Sequence, residues 1–174
     1  MLRRIMTYHQ IMPAYLDFIS VFGIKVDNGR QEVGGRNLRF TGFQTRNAMC
    51  NKRLALANLG RSGRAYELCY NLKTAALANE GKWSVRQAAF YHQFDVETGA
   101  SLWISTKARL TDLKERIENL TGAKGLPDDK SYADATASFR SSLAVHLLYC
   151  HWSSGGWRDY IEFLDNKIES IVSI

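Results

Sequence analysis

The sequence lacks the features that would place it in a membrane or mark it for secretion. No apolar run approaches the ~18 residues of a spanning helix, and residues 1–10 have neither the apolar core nor the cleavage site of a signal peptide. The three cysteines, Cys50, Cys69 and Cys150, lie far apart without a CxxC pair, which argues against a zinc knuckle and a disulfide framework. The sequence therefore indicates a reduced, cytoplasmic protein.

Nothing in the composition points to disorder or to several large domains. The chain has 174 residues, of which 45% are hydrophobic and 23% are charged, as in ordinary globular proteins. A chain of this length buries about two-thirds of its unfolded surface, so its core needs no disulfide or metal ion. We therefore expect residues 1–174 to form a single domain.

Acidic residues are nearly absent from one segment. Residues 30–64 hold eight basic residues and one acid, Glu32, so their net charge is +7 while the whole chain carries +6. This basic segment could bind nucleic acid or anionic lipid, or its arginines could pair with acids elsewhere in the fold. No RNP-like, zinc-finger or helix-turn-helix pattern accompanies it, which disfavours nucleic acid. The candidate anion-binding residues are Arg36, Arg39, Arg46, Lys52, Arg53, Arg61 and Arg64.

The first half of the chain mixes helix and strand patterns. Apolar residues at helical spacing between Tyr15 and Phe22 predict an N-terminal helix over 11–23 that ends at Gly23. Alternating residues predict a strand over 64–72. Weaker patterns predict a strand over 37–44, a short helix over 47–59 and a connector over 75–81.

The middle of the chain predicts a β-hairpin. Aromatic and β-branched residues are frequent over 83–94 and 101–106, as is typical of strands. Between them, Asp95 and Thr98 can hydrogen-bond the loop backbone, and Gly99 lies where such a loop needs a left-handed residue.

The last third of the chain predicts helices. A helix over 112–121, capped by Thr111, precedes a long helix from Ser131 or Asp134 to about His151. The final segment has apolar residues spaced 4, 3, 4 and 3 apart, the seam of a coiled coil or a packed helical hairpin. The residues of this seam are Trp157, Ile161, Leu164, Ile168 and Ile171. The core-facing residues expected on the long helix are Phe139, Leu143, Leu147 and Cys150.

These elements together predict an α+β fold that is close to α/β. A central hairpin within an antiparallel or mixed sheet would be packed by the N-terminal helix and by a C-terminal helix pair. The expected parts of the domain are the helix 11–23, the basic segment 30–64, a β-rich part over 64–106 and a helical part over 111–174. Because the apolar seam is still running at residue 174, we expect the natural helix to go on past it.

Catalytic and metal-binding patterns are weak. His92 and Asp95 could mimic a catalytic dyad, but no serine or cysteine lies in a nucleophile context such as GxSxG. Asp128, Asp129 and Asp134 lack the regular alternation of a calcium loop, and no HExxH motif occurs. The sequence therefore favours a protein that is not an enzyme and has no cofactor, with a His92–Asp95 enzyme as the weakest hypothesis.

Two stretches of the sequence are informative as family motifs, although their residues indicate no particular chemistry. The segment 83–104 follows the pattern W-S-x-R-Q, Y-H-x-F-D, T-G and W-I, and the segment 143–161 contains W-R-x-Y-I. In this order and at this separation, they resemble the soluble domain of fungal CorA-like transporter proteins. The motif positions are Trp83, Arg86, Gln87, Tyr91, His92, Phe94, Asp95, Gly99, Trp103, Trp157, Arg158 and Tyr160.

The resemblance implies a non-catalytic cytoplasmic domain of a divalent-cation transporter-like membrane protein. Full-length members lead through a long helix to a C-terminal membrane hairpin, so membrane association would depend on a segment outside this chain. The Gly-Met-Asn signature of CorA pores is absent, since no glycine is followed by methionine. The expected role is therefore assembly or regulation, with self-association through the C-terminal helices and weak binding of a divalent cation.

Overall fold

The computed structural model describes residues 2–20, 24–27, 30–33, 43–48, 55–77, 81–107 and 111–172. The helices in these ranges are α1 (Leu2–Tyr8), α2 (Tyr15–Ser20), α3 (Thr111–Thr121), α4 (Ala135–Ser154) and α5 (Trp157–Val172). The strands are β1 (Ile24–Asp27), β2 (Arg30–Val33), β3 (Phe43–Ala48), β4 (Ala65–Leu77), β5 (Trp83–Asp95) and β6 (Ser101–Lys107). This composition confirms the predicted α+β class.

An antiparallel sheet of four strands, in the order β3-β4-β5-β6, forms the centre of the fold, and β1 and β2 pair separately. The predicted hairpin is present as β5 and β6, which place His92 opposite Trp103. On its other side, β5 pairs along its whole length with β4, and His92 lies opposite Leu68. His92 therefore sits in an interior strand of the sheet.

Both faces of the sheet are covered by helices. On one face, Tyr15 and Phe18 of α2 pack with Cys69 and Tyr91 in a first core. On the other face, residues of α3 and α4 pack with Tyr70, Ala88 and Phe90 in a second core. Because side chains alternate along a strand, neighbouring residues of β4 and β5 serve opposite cores. This explains why β5 is buried without interruption from Gln87 to Asp95.

The predicted N-terminal helix over 11–23 is too long. Ile11 and Met12 have no regular secondary structure, Pro13 and Ala14 form a turn, and helix α2 covers only Tyr15–Ser20. Residues 21–23 lie outside the described ranges. The separate helix α1 was not predicted, because seven residues with no acid in the first turn and no base in the last give little sequence signal.

The predicted helix over 47–59 is wrong wherever it can be compared. Asn47 and Ala48 end strand β3 and pair with Tyr66 and Ala65 of β4. Residues 57–59 form only one 3-10 turn, which Gly60 ends in a left-handed conformation. Residues 37–42 of the predicted strand 37–44 lie outside the described ranges, as do residues 49–54.

The predicted connector over 75–81 is also wrong, because β4 runs on to Leu77. Ala75, Ala76 and Leu77 pair with the beginning of β5, ending with Leu77 opposite Trp83. Residues of low strand propensity are held there by pairing with the long neighbouring strand, which sequence periodicity does not reveal.

Helix α4 confirms the predicted long helix, and the side chain of Asp134 caps it by accepting a hydrogen bond from the backbone N–H of Ala137 at 2.8 Å. The predicted core face of this helix is wrong. Phe139, Leu143 and Leu147 are 41%, 45% and 69% exposed, and Cys150 is exposed as well. The buried residues of α4 are Ser138, Ser141, Ser142, Tyr149 and Trp152.

The serines allow α4 to approach the hairpin closely. Ser138 Oγ donates a hydrogen bond to the carbonyl oxygen of Gly99 at 2.5 Å, and Ser141 Oγ donates to that of Ser131 at 2.7 Å. Each buried hydroxyl is thus satisfied by a backbone carbonyl, which removes most of the cost of burying it. As a result, the first half of α4 faces the sheet with serines, while Leu143 and Leu147 face solvent and Tyr149 and Trp152 enter the core further on.

An alanine at Gly156 should loosen the α4–α5 junction from the sheet. A Cβ there would lie 1.8 Å from the carbonyl oxygen of Ala75, a contact that only a backbone shift relieves. We expect Gly156→Ala to lower the free energy of unfolding by about 2 kcal/mol in a urea titration. Gly155→Ala is the matched control, because its Cβ meets no atom closer than 3.5 Å. Equal losses in the two variants would contradict the packing of this junction on β4.

Candidate functional site

Two histidines meet between the sheet and α4. His92 Nδ1 of β5 lies 3.0 Å from His146 Nε2 of α4. The hydrogen-bonded chain continues at both ends, from His146 Nδ1 to the hydroxyl of Tyr70 at 2.6 Å and from His92 Nε2 to Ser101 Oγ at 3.0 Å. The four residues form the central polar cluster of the second core.

Aromatic rings enclose the histidine pair. The indole of Trp103 stacks on His92 with ring centroids 3.9 Å apart and lies 4.6 Å from the ring of His146. Burial and the neighbouring His146 lower the pKa of His92 to about 3, and burial lowers the pKa of His146 to about 4. Both imidazoles are therefore neutral at pH 7, so that one donates and the other accepts the hydrogen bond between them.

The order Ser101, His92 and His146 has the connectivity of a nucleophile, a base and an orienting group. The environment does not suit that chemistry. Ser101 Oγ lies 3.4 Å from Ser142 Oγ in the layer between the sheet and α4, and a histidine with a pKa near 3 is a poor base at neutral pH. Ser101 borders a cavity of about 140 Å³, whose lining does not include either histidine. The hydrogen bonds of this arrangement satisfy its polar groups inside the core.

The hypothesis of a His92–Asp95 dyad is wrong, because Asp95 organises the hairpin turn. Its carboxylate accepts hydrogen bonds from the backbone N–H groups of Ser62 at 2.6 Å, Thr98 at 2.9 Å and Glu97 at 3.1 Å. Burial alone would raise the pKa of Asp95, but the hydrogen bonds from Thr98 and Ser62 outweigh it and lower that pKa. Asp95 and His92 are three residues apart and therefore face opposite sides of the strand.

A second cluster of motif residues fixes the start of α5 to the sheet. Trp83 of β5 contacts the rings of Tyr160 and Phe163, with centroid distances of 5.4 and 6.1 Å. Trp157 Nε1 donates a hydrogen bond to the carbonyl oxygen of Lys73 in β4 at 3.2 Å. The two sequence motifs therefore meet in space, where the hairpin holds the C-terminal helix. Arg158, between them, is exposed.

The other motif positions serve the hairpin and its packing. Tyr91 donates a hydrogen bond to the buried Glu67 at 2.8 Å, and Phe94 stacks on Tyr66. Gly99 has a φ of 73°, and a Cβ there would lie 2.8 Å from the Cα of Ala135 at the start of α4. Arg86 is half-buried on β5, and Gln87 is buried beside it.

The candidate anion-binding residues are only partly described. Arg61 is buried and donates a hydrogen bond to Gln93 Oε1. Arg64 is exposed and forms an ion pair with Glu97 at 3.5 Å. Arg46 lies on β3, where it pairs in register with Glu67. The residues outside the described ranges are Arg36, Arg39, Lys52 and Arg53.

Sequence reasoning missed three members of the histidine cluster, namely Tyr70, Ser101 and His146. The one sequence signal for His146 was its position inside the motif segment 143–161. Its pairing with His92 could not be recognised, because the two residues are 54 positions apart along the chain. In the described ranges, no group of three or more histidine, cysteine, aspartate or glutamate side chains lies close enough to hold a metal ion.

The fold and site together define an α+β domain whose sheet buries a histidine pair and fixes the beginning of an exposed C-terminal helix. The family model of the CorA-like transporters matches residues 1–173, so the chain belongs to that family. No curated protein and no solved structure matches the chain significantly. Of the helices in the described ranges, none has both the length and the apolar character needed to cross a membrane.

Proposed function

We propose that the chain is a non-catalytic, cytoplasmic domain of a CorA-like, metal-ion-transporter-like membrane protein, and that its role is assembly. The sheet would hold α5 in a fixed position, and α5 would join one copy to the next. The observation that carries this proposal is the two-part character of α5, which is anchored at its start and exposed along the rest of its length.

The anchored part comprises the first two turns of α5. Tyr160 and Phe163 are half-buried against Trp83, and Trp157 donates a hydrogen bond to the backbone carbonyl oxygen of Lys73 in β4. Every described residue from 164 onward is exposed. The part of α5 from residue 164 onward is exposed on all sides, so packing within this domain cannot stabilise it.

The exposed part of α5 carries an apolar stripe. Ile161, Leu164, Ile168 and Ile171 are 55%, 39%, 58% and 70% exposed. Their spacings of 3, 4 and 3 keep them on one side of the helix, as in a coiled-coil seam. Soluble proteins seldom leave such a stripe open to water unless it meets a partner, and this supports self-association through α5.

The molar mass of the purified chain tests this proposal. We expect an oligomer in size-exclusion chromatography with light scattering, and Ile168→Lys should reduce it to a monomer by placing a charge in the stripe. Asn166→Lys is the matched control, because it adds the same charge on the opposite side of α5. A monomeric wild-type chain at all concentrations, or equal loss of mass in both variants, would contradict an assembly role for this stripe.

A further inference from the structure

Helix α4 has an apolar outer face that the domain leaves largely exposed. This face consists of Phe139, Leu143 and Leu147, spaced four residues apart, with Cys150 one turn further on. All four are exposed, and Leu147 is 69% exposed. At the beginning of this face, Phe139 contacts the ring of Phe94 in β5, with a centroid distance of 5.7 Å. Leu143, Leu147 and Cys150 remain exposed, because α4 turns its serines toward the sheet. The outer face of α4 is thus a second apolar stripe, separate from that of α5.

Helix α5 of the same chain does not cover the outer face of α4. Gly155 joins the two helices in a right-handed helical conformation, with φ −63° and ψ −34°. Helix α5 therefore leaves the end of α4 and packs its first turns on β4 instead of folding back. Each chain consequently presents two exposed apolar stripes that do not pack against each other.

The two helices carry opposite net charges. Helix α4 contains one arginine, Arg140, and no acid, and Arg140 flanks its outer face. Helix α5 contains four acids and two basic residues, a net charge of −2, and its stripe is flanked by Asp165 on one side and by Lys167 on the other. Pairing α5 with another α5 would bring two negative helices together, whereas pairing it with α4 brings opposite charges together.

From these observations we infer that α5 of one chain docks on the outer face of α4 of a second copy. This inference rests on the proposed assembly function and specifies its geometry. Each chain then has one donor surface, the stripe of α5, and one acceptor surface, the outer face of α4. Such a head-to-tail contact either closes into a ring or continues as an open chain of copies.

A mixing experiment distinguishes this contact from a symmetric one. The acceptor variant, Leu143→Lys/Leu147→Lys, keeps its α5 stripe, and the donor variant, Leu164→Lys/Ile168→Lys, keeps its outer face of α4. We expect each variant alone to be monomeric in light scattering. An equimolar mixture should give a species of twice the monomer mass, because one intact donor meets one intact acceptor and neither product can extend.

Other outcomes would overturn the inference in recognisable ways. An acceptor variant that assembles like the wild type would mean that α5 pairs with α5, which overturns the inference but not the assembly function. A monomeric mixture of two variants, each with wild-type circular dichroism, would also overturn it. A wild-type chain that is monomeric throughout would instead contradict the proposed function itself.

The charge pair gives an independent test with smaller changes. Arg140→Glu should weaken assembly at low salt by about tenfold in the dissociation constant, a typical effect of reversing one interfacial charge. Asp165→Arg should do the same, and the two substitutions together should restore most of the wild-type affinity. Two losses that simply add in the double variant would show that these side chains do not face each other.

Discussion

Lowering the pH from 7 to 5 is expected to remove roughly 3 kcal/mol from the free energy of unfolding, chiefly through His92 and His146. Their pKa values are about 3 and 4 in the folded chain and near 6.5 when unfolded. Because both pKa values are lower in the folded chain, the unfolded chain binds more protons than the folded one once the pH falls below 6.5. The free energy of unfolding is therefore highest above pH 6.5 and decreases as the pH falls toward 4. His92 contributes most, since His146 is partly exposed.

Urea titrations at pH 7 and pH 5 measure this loss. The double variant His92→Gln/His146→Gln should retain hydrogen bonding, and its free energy of unfolding should decrease only slightly between pH 7 and pH 5. His9 contributes to this remaining decrease, because burial and Arg61 lower its pKa too. His151→Gln is the matched control, as it removes an exposed histidine from the same helix. If the double variant lost as much stability as the wild type, the buried pair would not be the source.

Trp103→Ala should be the most damaging single substitution in the histidine cluster, with a loss of about 3 kcal/mol. The indole covers both imidazoles and lies 5.7 Å from the ring of Tyr149 on α4. Its removal takes contacts from β5 and α4 at once, and the surrounding strands cannot close the gap without shifting. The loss at pH 7 is measured by equilibrium urea unfolding.

The same variant also has an electrostatic readout. Without the indole, water reaches His92, so the pKa of this residue should rise toward its ordinary value. The difference in stability between pH 7 and pH 5 should then be smaller than in the wild type. Trp157→Ala serves as a comparison, because it removes contacts of α5 but none of the histidine pair. An unchanged pH dependence in Trp103→Ala would mean that the indole does not exclude water from His92.

The parts of the fold that depend on local sequence were predictable. The hairpin of β5 and β6 could be recognised because its strands are rich in aromatic and β-branched residues and because Asp95 and Gly99 satisfy a specific turn. Helix α4 could be recognised because Asp134 caps it. Each of these signals lies within a few residues of the feature that it specifies.

The parts that depend on distant partners were not predictable. The core face of α4 was misassigned because periodicity identifies an apolar stripe but not its direction, and here Ser138 and Ser141 find carbonyl partners that only the folded chain supplies. The end of β4 depends on pairing with β5 in the same way. The histidine pair joins positions in different elements, so no local pattern specifies it.

The apolar stripe of α4, which was predicted to face the core, is exposed and supports the proposed assembly role. A helix that buries serines and exposes Phe139, Leu143 and Leu147 leaves apolar surface for another molecule. Together with the stripe of α5, it supplies the two surfaces through which we propose that this CorA-like domain assembles. The motif residues support them indirectly, since Trp83, Trp157 and Gly99 hold α4 and α5 on the sheet.

Amide hydrogen exchange as a function of protein concentration tests the assembly role most directly, because it requires no substitution. Residues 164–172 are exposed on all sides in the single chain and should exchange rapidly when the protein is dilute. If α5 joins copies, these amides should become markedly slower at high concentration, while those of the buried strand β5 stay constant. Exchange of residues 164–172 that is equally fast at every concentration would contradict the proposed function.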